Sequence, residues 1–209
     1  MKHILITAAL CLAVAGLASA QNISGPLSGT LGPGTFTVVG DCQVQAGQTL
    51  TIAPGTILQH SGPYKWDIYG TFTAVGTAAD SIKFVRQFPN ETCKWGGIRF
   101  NTGASASSSL SYCVIEFCKK GSTPYYQYGA GIYSNGVAIS VSHSRISNCD
   151  NYWDGAAFYA QNAAVNLTSN LIVDNVASNG SNGGGIVLQG CNGATIAYNV
   201  VARNGATGT

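Results

Sequence analysis

A unit of roughly thirty residues recurs along the chain and constrains its fold more than any local preference. The segments "GGIRFNTGASASSSLSYCVIEFC" from Gly96, "AGIYSNGVAISVSHSRISNC" from Ala130, "AAFYAQNAAVNLTSNLIVDN" from Ala156 and "GGIVLQGCNGATIAYNVVARN" from Gly184 superimpose. Anchored on Ile98, Ile132, Phe158 and Ile186, they step by 34, 26 and 28 residues. A second anchor set, Ile115, Ile146, Ile172 and Val201, steps by 31, 26 and 29. Steps this long and this variable suit a coil whose strands are constant while one turn changes length.

Within each unit, apolar residues alternate over short runs, as in Ile98/Phe100, Ile139/Val141, Val165/Leu167 and Ile186/Leu188. Period two, broken by Gly, Asn and Ser, specifies short strands, and no 3.6-residue pattern interrupts them. Three short strands per unit make one rung of a parallel β-helix, in which each rung hydrogen-bonds to the next. Strict hexapeptide repeats are absent, which favours right-handed coiling. Composition agrees, with 27 glycines in 209 residues and abundant Ser, Asn and Thr.

Two polar columns accompany the strands. Cys113, Ser144, Asn170 and Asn199 sit two residues before the second anchor, and Cys118, Cys149, Asn175 and Asn204 sit three after it. Recurrence at fixed offsets predicts inward ladders whose side chains satisfy the backbone of the turns.

Earlier in the chain stand Leu50-Thr51-Ile52-Ala53-Pro54-Gly55-Thr56, Gly70-Thr71-Phe72-Thr73-Ala74-Val75-Gly76-Thr77, Ile82-Lys83-Phe84 and Trp95-Gly96-Gly97-Ile98. Over residues 40–205 the chain resembles secreted bacterial right-handed β-helix proteins of the pectate-lyase-like superfamily. The resemblance implies the fold. It implies no single activity, because that superfamily spans polysaccharide lyases, glycoside hydrolases, adhesins and surface proteins.

The first 20 residues read as a secretory signal peptide: a basic start, an apolar run and Ala18-Ser19-Ala20. Residues 21–40 are expected to be a lead-in or cap, and 41–209 the helix, a single all-β domain. The chain ends on "ARNGATGT" in mid-pattern, so a longer protein with further domains is expected. With 10 Lys+Arg against 8 Asp+Glu, the near-neutral balance gives no electrostatic case for nucleic acid, and no later segment suits a membrane span. The six cysteines beyond the leader show no metal-ligand spacing, and no cofactor is indicated; Ca²⁺ enters only under a lyase reading.

Alternation also assigns the outward positions. If Ile132 points in, then Arg99, Tyr133, Tyr159 and Val187 form an outward column, flanked by Asn101, Asn135, Gln161 and Gln189. Aromatic and amide columns side by side suit a sugar: rings cover pyranose faces and amides exchange hydrogen bonds with hydroxyls. The alternative is cross-strand stacking that only stabilises the sheet. The variable turn adds Tyr125, Tyr126, Tyr128, Tyr152 and Trp153 on the same side, where solenoids build binding sites. Catalysis would need convergent acids or bases, and the weak candidates are Asp150, Asp154 and Asp174. The expectation is therefore a secreted or surface-displayed module, not an enzyme, that binds polysaccharide or mediates adhesion. A lyase or hydrolase, and a structural spacer, are the rivals. Cys118 and Cys149 share an offset in successive rungs, at a Cα separation of about 4.8 Å that permits a disulfide.

Overall fold

The structure, a computed structural model, describes residues 20–120, 128–179 and 182–207. The chain winds as a parallel β-helix. Every strand pairing is parallel, and the sole helical segment among the described residues is a 3₁₀ turn at Glu91–Cys93.

Three walls surround the core. The first carries Trp66–Ile68, Ile98–Phe100, Ile132–Asn135, Phe158–Gln161 and Ile186–Gln189. The second is a seven-stranded sheet running from Gly29–Leu31 to Thr195–Ala197. The third carries Ile57–His60, Ile82–Arg86, Cys113–Glu116, Arg145–Ser147, Leu171–Val173 and Val200–Ala202. The long strand Thr35–Val44 pairs with both the third and the first walls, which joins them into one 13-stranded sheet. Gln21–Pro26 stacks on that strand, so the segment expected as a lead-in already belongs to the stack.

The superposition of units is the register of the walls. Ile98, Ile132, Phe158 and Ile186 are successive partners, and so are Ile115, Ile146, Ile172 and Val201. Inward side chains fill the interior with layers of like residues, the economical way to pack a core whose cross-section repeats. In the first rungs these layers are aromatic: Trp66, Phe72, Phe84, Trp95 and Phe100 are fully buried, with ring centroids about 6 Å apart.

In each of the four later rungs two sharp corners turn the chain between walls. Each uses a residue with left-handed backbone: Tyr112, His143, Ser169 and Tyr198 at one corner, Phe117, Asn148, Asp174 and Arg203 at the other, with φ between 49° and 60°. None is glycine, so each corner is strained and must be held by its surroundings. The holding contacts come from the next residue. Asn170 Oδ1 accepts from the Ser144 backbone N–H at 3.0 Å, and Asn199 Oδ1 from that of Asn170 at 2.8 Å. Asn175 Oδ1 accepts from Cys149 N–H and Asn204 Oδ1 from Asn175 N–H, both at 3.0 Å. The amide nitrogens donate back to carbonyls one rung below, as Asn170 does to Val141 and Asn175 to Ile146. The expected ladders are present at both offsets.

A polar group also sits in the aromatic core. His60 is fully buried and lies flat on Trp95, centroids 3.9 Å apart. Its Nε2 accepts from Trp66 Nε1 at 3.0 Å, so the ring proton is on Nδ1 and is donated to Val85 O at 3.0 Å. Burial pushes the pKa of the imidazole down to about 3.

The ladder makes a stability prediction. Asn175→Ala strands a buried N–H and buried carbonyls together, and should cost about 2–4 kcal/mol in urea unfolding. Asn199→Ala, on a half-exposed rung, should cost less. His60 makes a pH prediction. Its native pKa lies below the ordinary 6.5, so the unfolded chain binds the proton more readily. Stability is then full above pH 6.5 and falls toward pH 3, with a slope of at most about 1.4 kcal/mol per pH unit. Unfolding midpoints measured across that range should show the slope, and His60→Gln should remove its His-dependent part.

Candidate functional site

The outward column of the first wall is the one that alternation assigns. Gln43, Asp67, Arg99, Tyr133, Tyr159 and Val187 are successive register partners. Asn135, Gln161 and Gln189 run beside them, with Asn101 one residue beyond its strand. Asp67 extends the column by a rung. Its signal was present in Trp66-Asp67-Ile68, which alternates like Ile98-Arg99-Phe100, but the unit lies outside the superimposed segments.

The column is not an open aromatic face; its rings stack across the strands, the alternative that the sequence also offered. Arg99 is 6%, Tyr133 8% and Tyr159 3% exposed. They point away from the core yet are covered, because they cover one another. The Arg99 guanidinium lies 4.2 Å from the Tyr133 ring centroid, Tyr133 stacks on Tyr159 at 5.7 Å, and Tyr128 stacks on Tyr159 at 4.6 Å. Rings at rung spacing satisfy their faces mutually, which leaves little of Tyr133 or Tyr159 for a sugar. Burial raises the pKa of both phenols, that of Tyr159 to about 12.

Lys120 is buried on this side too. Burial first, and the Arg99 charge second, lower its pKa well below the ordinary value.

What remains open lies one rung further on. A cleft of about 550 Å³ is lined by Tyr128, Asp154, Tyr159, Asn182, Gln189 and the strand around Val187. Asp154 accepts from the Asn182 backbone N–H at 2.9 Å and from its side-chain amide at 3.0 Å. The Tyr159 hydroxyl donates to Gln189 Oε1 at 2.6 Å, which fixes that amide and aims its nitrogen elsewhere. In the next column Gln161 Nε2 donates to Asn135 Oδ1 at 2.9 Å. The cleft is thus walled by an aromatic edge and oriented amides, with one carboxylate at its side.

The other expected site residues divide. Tyr125 and Tyr126 lie outside the described residues. Tyr152 is exposed and meets Trp153 edge to face at 5.5 Å, while the Trp153 indole N–H is buried and, among the described residues, has no hydrogen-bond acceptor.

The three aspartates do not share a site. Asp150 and Asp174 line a different cleft of about 480 Å³, with Arg86, Glu91, Lys94 and Phe117. Asp174 is held by both Arg203 nitrogens at 2.7 Å, a contact that keeps its carboxyl below the usual range. Asp150 lies 3.7 Å from Lys119 Nζ. A carboxylate gripped by an arginine, as Asp174 is, is stabilised as the anion and does not store a proton for acid catalysis. Among the described residues, no three His, Cys, Asp or Glu side chains converge as metal ligands. His143 stacks on Tyr112 at the surface corner, 4.9 Å between centroids.

The expected Cys118–Cys149 bridge is also corrected. The two residues do occupy equivalent positions in adjacent rungs, since Lys119 and Asp150, each one residue on, are register partners. Yet both thiols are free and buried, as are Cys42, Cys93 and Cys113; Cys191 is free and half-buried. In-register parallel neighbours keep their Cα–Cβ bonds parallel, so the Cβ atoms stay near the strand spacing of about 4.8 Å. A disulfide needs them near 3.8 Å. Burial, and then Cys149 itself, push the Cys118 thiol well up, and burial sets Cys42 and Cys113 at about 12.

None of the family models, curated proteins or solved structures compared with this chain matches it.

The thiol state makes a prediction. Alkylation of the folded protein without reductant should modify Cys191 first and spare the five buried thiols. In denaturant, still without reductant, all six should react. Peptide mapping that recovers Cys118 disulfide-linked to Cys149 would show that the parallel geometry does not exclude the bridge.

Proposed function

We propose that this chain is an exported, non-catalytic β-helix module that binds polysaccharide or a cell-surface glycan. The supporting observation is the cleft beside Gln189. Its polar groups are fixed by the protein before any ligand arrives: Gln189 by Tyr159, and Asp154 by Asn182. Prepositioned amides and a carboxylate exchange hydrogen bonds with sugar hydroxyls at little ordering cost, and Tyr128 supplies a ring at the edge. The carboxylate favours a neutral glycan over an acidic one, because a uronate would meet like charge.

Export rests on the leader-like first 20 residues, and the pectate-lyase-like resemblance supports a sugar partner in the same way. The non-catalytic reading rests on the separation of Asp154 from Asp150 and Asp174, and on the ion pairs that hold the latter two.

A glycan array tests the reading. The protein should bind one class of neutral polysaccharide, and Gln189→Ala with Tyr128→Ala should weaken it by about tenfold or more, since two oriented contacts are lost. Binding to no glycan would favour a spacer. Release of reducing or unsaturated ends from the bound polymer would show an enzyme instead.

A further inference from the structure

The seven-stranded second wall has an outer surface unlike either cleft. Its central outward column begins Thr30, Thr51, Thr73, continues through Ser109 and Ser140, and ends on Asn166 and Thr195, one residue per rung in unbroken register. Two partial flanking columns stand two residues away from it, on opposite sides. Thr49 and Thr71 supply one in the early rungs, and Ser111, Ser142 and Thr168 the other in the later rungs. Each of these side chains is exposed or half-exposed. Among the described residues, none of their polar side-chain atoms is engaged in a hydrogen bond within the protein.

Three absences on this wall decide what it suits. Its strands hold no Lys, Arg, Asp or Glu, so neither a phosphate backbone nor an anionic lipid finds a counter-charge. Their one aromatic residue, Phe72, points inward and is buried, so pyranose rings find no platform in the columns. No cluster of large apolar side chains provides the core of a protein interface, Val75 being the single large outward one. What is present is a two-dimensional lattice of hydroxyls and methyls, spaced by about 4.8 Å between rungs and about 6.6 Å along a strand. Both repeats approach the oxygen spacings of hexagonal ice. Seven strands locked in register by the other two walls resist the twist that would spoil a planar match.

We infer that this wall is an ice-binding face, whose ligand is water ordered as the surface of an ice crystal. A single hydroxyl exchanging liquid water for lattice water gains almost nothing. A rigid array that makes a dozen such exchanges at once gains their sum with no further loss of freedom. Threonine suits the role because its methyl leaves neighbouring water in a cage while its hydroxyl enters the lattice. The inference is independent of the glycan cleft, which faces outward from a different wall.

The test is ice recrystallisation and thermal hysteresis with the full chain at micromolar concentration. The wild-type protein should arrest grain growth where albumin does not. Thr51→Tyr and Thr73→Lys, one bulky and one charged change on half-exposed outward positions, should each reduce the effect by about tenfold by breaking the array. Their unfolding midpoints should stay at the wild-type value, and Gln189→Ala in the sugar cleft should leave ice activity intact. Grain growth equal to that in albumin would overturn the inference. So would full activity in both face variants, or adsorption to crystalline cellulose or chitin that Thr51→Tyr abolishes.

Discussion

The corner ladders carry the structure. A strand that ends in a left-handed non-glycine residue is unfavourable by itself, by about 1 kcal/mol or more per corner. It also exposes backbone groups toward the interior. The next residue answers both problems, but only with a second rung in place: Asn170 is bonded through Asn199, and Asn175 through Asn204. No rung is therefore stable alone, and stability passes from each to the next, as in other one-dimensional arrays. The rungs that lack Asn use smaller members of the same set. Ser144 Oγ accepts from Cys113 N–H at 3.0 Å, and Cys113 Sγ donates to Ala74 O at 3.3 Å.

That register has consequences on both sides of each wall. Inside, it stacks apolar on apolar: aromatic layers fill the early rungs, and Ile, Val and Leu with the single ring of Phe158 fill the later ones. His60 fits among the aromatics because its two ring nitrogens are both satisfied and its face is covered by Trp95. Outside, the same stacking turns every outward position into a column, and columns have properties that single residues lack. Tyr133 and Tyr159 consume each other's faces. Asp174 and Arg203 neutralise each other. The hydroxyls of the second wall, too short to reach one another, remain available to solvent.

The site is thus decided less by which residues face outward than by what happens between neighbours one rung apart. Long planar side chains close on each other and become structure. The working surface moves to where the column changes character: at Val187, which follows Tyr159 and offers no ring, the cleft opens between Gln189, Asn182 and Asp154. On this account the tyrosines support the site more than they form it.

Sequence alone determined the parallel coil, the register of Ile98, Ile132, Phe158 and Ile186, the two ladder offsets and the direction of every outward column. These follow from period and offset, which are properties of the chain itself. It did not determine that Arg99 and Tyr133 would be covered, because exposure depends on the neighbouring rung and on the turn folded over it. Nor did it determine that Cys118 and Cys149 would stay thiols: equal offsets fix the distance between Cα atoms, whereas a bond depends on where the Cβ atoms point. The cluster of His60, Trp66 and Trp95 was equally hidden, since residues on different turns of the coil meet only when the walls close around a core. Direction along a strand is local and legible; contact across the stack is made by the tertiary structure.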